Sequence, residues 1–162
     1  MAKLSEERKH EIDELASLLR YSYSVNSESD IKSIAKDFGI VVLETEKIGM
    51  GSAVKRKNNH YLILPKRLVP SYGKYQAAHE LGHMLLYHFL ENQLGLWERE
   101  DEADYFARRL IGMSRYKCEC ARILESLLYT FIHPINTFKV VSGIHRKDAN
   151  KLIDNYEAQN PI

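Results

Sequence analysis

The sequence predicts an α+β fold in which a small, mostly antiparallel sheet packs beside a helical core, and three observations carry that expectation. Apolar residues recur at three- and four-residue spacing near both ends of the chain, the period of an amphipathic helix. Between Ile40 and Leu64 lie three short β-type runs, the last two separated by the polar Arg56-Lys57-Asn58-Asn59. Tyr75 to Leu90 is helix-permissive and apolar nearly all round, with Glu80 its only Asp, Glu, Lys or Arg residue, so it belongs inside the core. The 162 residues are most simply one domain, with a core over 28–112 and a helical extension over 113–162.

Taken in order, Glu6 to Arg20 is amphipathic through Ile12, Leu15, Leu18 and Leu19, which predicts a first helix. The serine-rich Tyr21 to Glu28 is a connection. Ser29 and Asp30 offer N-caps to a second helix, whose Ile31, Ile34, Ala35 and Phe38 form one stripe and which Gly39 ends. Ile40 to Glu44 is a short strand, and Gly51 to Lys55 with His60 to Leu64 form a hairpin. Tyr61 to Leu64 is apolar throughout and reads as a strand buried on both faces, whereas Gly49, Gly51, Ser52 and Ala53 are small and leave a backbone ladder open. One helix starts after Pro70 and Ser71 and another after Trp97. Two more cover about Cys118 to Ile132 and His145 to Ala158, with Pro134 and Gly143 marking breaks.

Chemistry concentrates in the buried segment. His79-Glu80-Leu81-Gly82-His83 has HExxH spacing, which puts two imidazoles on one helical face where a single zinc ion can join them. Glu80 stands where a carboxylate can take a proton from a water at that ion, so the pattern points to peptide-bond hydrolysis. Burying these polar groups costs several kcal/mol unless partners compensate, and a divalent cation satisfies both imidazoles at once. Gly82 costs a helix roughly 1 kcal/mol relative to Ala, which implies close approach by another backbone.

A catalytic zinc site needs a third protein ligand. The segment Glu98 to Leu110, read as a helix, places Glu100, Ala103, Asp104 and Ala107 on one stripe. The alanines let that helix pack tightly while Glu100 reaches the metal, with Glu102 the competing candidate. Asp104, one turn on, can accept the free N–H of a ligating histidine and fix its tautomer. Glu98, Asp101 and Glu102 otherwise read as the solvated acidic start of a helix.

The run from His79 to His88, followed by the E-x-E-A-D-x-F-A pattern of Glu100 to Ala107, resembles the ImmA/IrrE-type metallopeptidases and, more distantly, thermolysin-related zinc peptidases. The resemblance spans residues 28–112: Asp37 to Val42 and Tyr61 to Pro65 fall where that family has a helix end and a strand. It thins at Leu110-Ile111-Gly112-Met113-Ser114, where the family often continues into a leucine-methionine-proline sequence. It implies a cytoplasmic zinc endopeptidase that cleaves or inactivates a repressor protein, commonly one encoded on a mobile element. On this reading His79, His83 and Glu100 hold one Zn²⁺ per chain, Glu80 is the base, and Asp104 orients a histidine. In thermolysin-like peptidases the edge strand that receives the peptide precedes an inner strand and then the zinc helix. Carried over, Gly51 to Val54 is the edge, Gly51, Ser52 and Ala53 bind substrate, and Tyr61 to Leu64 is the inner strand.

Composition sets the outer limits. With 23 basic and 22 acidic side chains the formal charge is +1, which gives no general pull toward nucleic acid or acidic membranes. No run of about 18 apolar residues occurs, and the first residues lack the apolar core of a signal peptide, which fits a cytoplasmic protein. Cys118 and Cys120 are too close for an ordinary disulfide and too few for a zinc knuckle. His88, five residues after His83, falls about 140° further round a continued helix and is expected to miss the metal. His60, His133 and His145 are candidate donors to a developing oxyanion, with nothing local to choose between them. The alternative to an enzyme is a regulatory or DNA-binding protein with a structural or sensing zinc. Pro134 to Tyr156 would then be a helix-turn-helix about Gly143, its face made basic by Lys139, Arg146, Lys147 and Lys151.

Overall fold

The computed structural model describes residues 4–46, 51–89, 95–132 and 146–160. Gly49, Leu90, His133, Pro134, Lys139, Gly143 and His145 lie outside the described residues, as do the side chains of Arg146 and Lys147. Within them the chain runs α1 (Glu6–Tyr23), α2 (Glu28–Asp37), β1 (Val41–Thr45), β2 (Ser52–Arg56), β3 (Asn59–Pro65), α3 (Pro70–Leu85), α4 (Leu96–Ile111), α5 (Arg115–Ile132) and α6 (Arg146–Gln159). The fold is α+β.

Helix α1 begins where Ser5 accepts a hydrogen bond from the Arg8 N–H, and it buries Ile12, Ala16 and Leu19. Leu18, expected on that stripe, points outward and is 63 % exposed. The cap of α2 is Ser27, not Ser29 or Asp30. Its hydroxyl accepts from the Asp30 N–H while the Asp30 carboxylate accepts from the Ser27 N–H, a reciprocal box that starts the helix earlier than expected. Ile31, Ile34 and Ala35 are buried, but Phe38 sits at the C-cap, half-exposed, because Gly39 at φ 72° turns the chain away.

The three strands have the order β1-β3-β2, so β3 is inner and β2 is an edge. Hairpin partners β2 and β3 are antiparallel, with Ala53 opposite Leu62, whereas β1 and β3 run parallel with Val42 opposite Leu62. Among the described residues the sheet is therefore mixed, with β3 shared between a parallel and an antiparallel neighbour. Along β3 side chains alternate between two cores. Leu62 and Leu64 join Ile12, Ile31, Leu81, Phe106 and Leu110 in the main one. Tyr61 and Ile63 face Ala149 and Ile153 of α6 on the other side. The Tyr61 hydroxyl donates to Glu157 at 2.8 Å, and Arg56 pairs with Asp154 at 2.6 Å. The apolar face of the helix offered above as a DNA reader thus covers the sheet.

The start of α3 is held from α5. Buried Glu125 accepts from the Leu68 and Val69 N–H groups at 3.1 and 2.6 Å, just before Pro70 occupies the first helical turn. Among the described residues, no helix is long and apolar enough to cross a membrane.

Candidate metal centre

The centre is built where α3 meets α4. A Cβ added at Gly82 would lie 2.9 Å from the Phe106 ring and 3.3 Å from the Ala103 Cα, so only glycine admits this approach. Ala103 and Ala107 are fully buried on the facing stripe. The consequence appears one turn up α4, where the Glu100 carboxylate lies over both histidines. Its oxygens are 3.3 Å from His79 Nε2 and 3.5 Å from His83 Nε2, and the two Nε2 atoms are 3.1 Å apart.

Those spacings test whether a metal fits. Ligands at about 2.0–2.1 Å from a tetrahedral zinc are separated by roughly 3.3 Å, and the contacts here, in which each histidine meets a different Glu100 oxygen, lie close to that value. His79, His83 and Glu100 could hold a metal ion. Electrostatics point the same way. Burial alone would lower His79, but hydrogen bonds to Asp104 and Glu100 outweigh it and raise its pKa to about 10. Burial and the neighbouring His79 charge push His83 down to about 4. The His79 contact holds Glu100 below its ordinary value. Two imidazoles in contact resist both being positively charged, whereas one divalent cation serves both of them and the carboxylate.

Asp104 Oδ1 lies 2.9 Å from His79 Nδ1 and also accepts from the Tyr75 hydroxyl. An ionised carboxylate only accepts, so His79 donates from Nδ1 to Asp104 and, while it keeps its second proton, from Nε2 to Glu100; loss of that second proton leaves the lone pair on Nε2, on the side of Glu100. Glu80, one residue on, is buried, and burial raises its pKa, partly offset by His79 and by a hydrogen bond from the Ala53 N–H. Hairpin register explains that last bond. With Arg56 opposite Asn59 at the turn, alternate N–H groups of β2 face away from β3, and Ala53 is one of them. Gly51 also presses close, since a Cβ there would lie 2.9 Å from Glu80 Cγ. Gly51, Ser52 and Ala53 form one wall of a cleft of about 350 Å³; His79, Glu80, His83, Arg99 and Glu100 form much of the rest. His60 does not line it.

Glu102 departs from expectation. It is neither solvated nor turned to the histidine pair: 3 % exposed, it accepts from Arg8 of α1 at 2.9 and 2.7 Å and lies 3.0 Å from His88 Nε2. His88 does stay outside the donor set, but not for the helical reason given above, because α3 ends at Leu85 and the chain turns through Tyr87 at φ 59°. His88 Nδ1 comes to 2.8 Å from His83 Nδ1. No local pattern marks Arg8, which is 94 residues from Glu102. Cys118 and Cys120 are both free thiols.

Two histidines and a carboxylate at the floor of a cleft, walled by the edge of a sheet, define a metallopeptidase-like domain. Residues 35–111, a little under half the chain, match the model of a peptidase family, the IrrE N-terminal-like domain. The ImmA/IrrE-type resemblance read from the two motifs is thereby shown for the stretch that carries the whole cluster. No curated protein and no solved structure matches the chain.

Proposed function

We propose that the protein is a zinc-dependent endopeptidase that hydrolyses a peptide bond in a protein substrate, with His79, His83 and Glu100 as metal ligands. The observation that carries this is the convergence of His79, His83 and Glu100, whose contacts lie close to the ligand separation of a tetrahedral zinc. Bound zinc would polarise the scissile carbonyl and bring the pKa of water toward about 7. Glu80 takes the proton released as the nucleophile forms and returns it to the leaving amine. Its raised pKa suits a group that must both accept and donate. Asp104 keeps the His79 lone pair aimed at the ligand site.

The substrate lies extended along the outer edge of β2. There Gly51, Ser52 and Ala53 offer backbone without bulky side chains, and strand addition supplies affinity without demanding one sequence. By family resemblance, the substrate class is a repressor-type regulator of a mobile element.

The test is metal analysis of the purified protein together with incubation against repressor-like proteins, using Glu80→Gln as the control. We expect one zinc per chain in both proteins and a loss of about 10²–10⁴-fold or more in cleavage by the variant. Full activity of Glu80→Gln would reject the assigned base. Zinc without cleavage of any substrate would support a structural or sensing site instead.

A further inference from the structure

The end of α3 has a specific form. The Tyr87 N–H donates to the Met84 carbonyl at 3.2 Å and the His88 N–H to the His83 carbonyl at 3.2 Å, with Tyr87 left-handed between them. This pair of bonds is a Schellman motif, in which the second residue beyond the cap folds back beside the residue three positions inside the helix. Here those two residues are His88 and His83, so the turn sets one imidazole behind another. An apolar contact commonly fills this position. A polar one here needs a reason.

The reason lies in the bonds behind it. His88 and Glu102 side chains are 2 % and 4 % exposed, and Arg8, 27 % exposed, closes the chain with two N–H groups on the Glu102 carboxylate. The carboxylate can only accept, so neutral His88 carries its proton on Nε2 and presents a bare Nδ1 to His83. That nitrogen can only accept, so His83 must carry its own proton on Nδ1. The lone pair of His83 is then on Nε2, facing His79 and Glu100. The direction of every hydrogen bond follows from the carboxylate at the far end.

We infer that His88 is a positioning residue for the metal ligand His83, fixing its tautomer and ring angle through a buried chain that runs His83, His88, Glu102, Arg8. The inference rests on the zinc reading above. It extends the site beyond the family segment, since Arg8 belongs to α1 and residues 35–111 exclude it.

The experiment measures zinc affinity of the full chain by chelator competition for wild type, His88→Phe and His88→Gln, with thermal melts of each metal-free protein as the fold control. Phe fills the space but removes the acceptor. Gln restores an acceptor and a donor about as far apart as the two ring nitrogens. We expect His88→Phe to bind zinc about 10–100-fold more weakly and His88→Gln to recover most of that loss. Imidazole nitrogen NMR of the zinc-loaded wild type supplies a readout that needs no variant, and should find His88 protonated at Nε2 and His83 at Nδ1. Wild-type affinity in a folded His88→Phe, or His88 protonated at Nδ1 alone, overturns the chain while leaving the zinc site standing. Failure of the wild type to hold zinc at all overturns the peptidase reading itself, and the two failures are thereby distinct.

Discussion

The two histidines of α3 are backed in different ways. Behind His79 stands one carboxylate, Asp104, shared with the Tyr75 hydroxyl and 47 % exposed at its side chain. Behind His83 stands a buried sequence of three groups that ends on a helix from the other end of the chain. Once His79 has given up its second proton, both flanks deliver the same product, an Nε2 lone pair on the side of Glu100. They do so at different distances, and the charge that orients the ring is adjacent on one flank and one imidazole removed on the other. The proton balance follows the difference, because the adjacent carboxylate raises His79 while burial and the His79 charge lower His83. Geometry on the two sides is alike; electrostatics are not.

The largest effect expected is one that ignores the difference. His79→Ala and His83→Ala each remove one of three ligands, so both should abolish zinc retention after gel filtration. Full zinc stoichiometry in either variant would remove that residue from the donor set.

A smaller effect should separate the flanks. In the metal-free protein His79 keeps its proton up to a pKa of about 10, yet a zinc ligand must be neutral. At neutral pH zinc therefore displaces that proton, and affinity should climb with pH by up to about tenfold per unit. The raised value comes from Asp104 and Glu100, so Asp104→Asn should flatten the climb, whereas Glu102→Gln should leave its slope unchanged. Competition titrations between about pH 6 and about pH 8.5 check this, and equal slopes in the two variants would erase the distinction.

The smallest effect probes the turn. Tyr87 is exposed, and its left-handed backbone is one that glycine adopts without strain. Tyr87→Gly relieves that strain but adds freedom to the unfolded chain, so stability should change by less than about 1 kcal/mol. Zinc affinity should not move. A loss like that of His88→Phe would mean that the Tyr87 side chain, not the backbone turn, places His88.

How far the sequence could be read follows the range of each interaction. The histidine pair, the carboxylate stripe of α4 and the reason for Gly82 were legible because each depends on spacing within one helix or on a residue's size. The edge position of β2 was legible by resemblance to a known strand order. Glu102 was misjudged because an acidic residue near a helix start is ordinarily solvated, and its partner comes from α1. The end of α3 was hidden because neither glycine nor proline marks it. Tyr87 takes the left-handed role, so the sequence reads as continuing helix through His88. The Ser27 cap was passed over because serines at 27 and 29 both precede the apolar stripe that begins at Ile31, and only the reciprocal bonds to Asp30 choose between them.

The salt bridge between Arg8 and Glu102 also bears on what can be moved from one protein to another. The segment that recurs as a family domain holds every proposed zinc ligand, the proposed base and the wall of the cleft, and on a sequence map it looks transplantable. Cut out at its own borders, it would lose the guanidinium partner of Glu102 together with Ile12, Ala16 and Leu19, the α1 share of the main core. The damage would surface at a histidine far along the chain from the cut. The portion of this protein that matches the family as a unit and the portion whose packing holds the site have different borders, and α1 is part of the difference, with Glu125 of α5 and the sheet-covering face of α6.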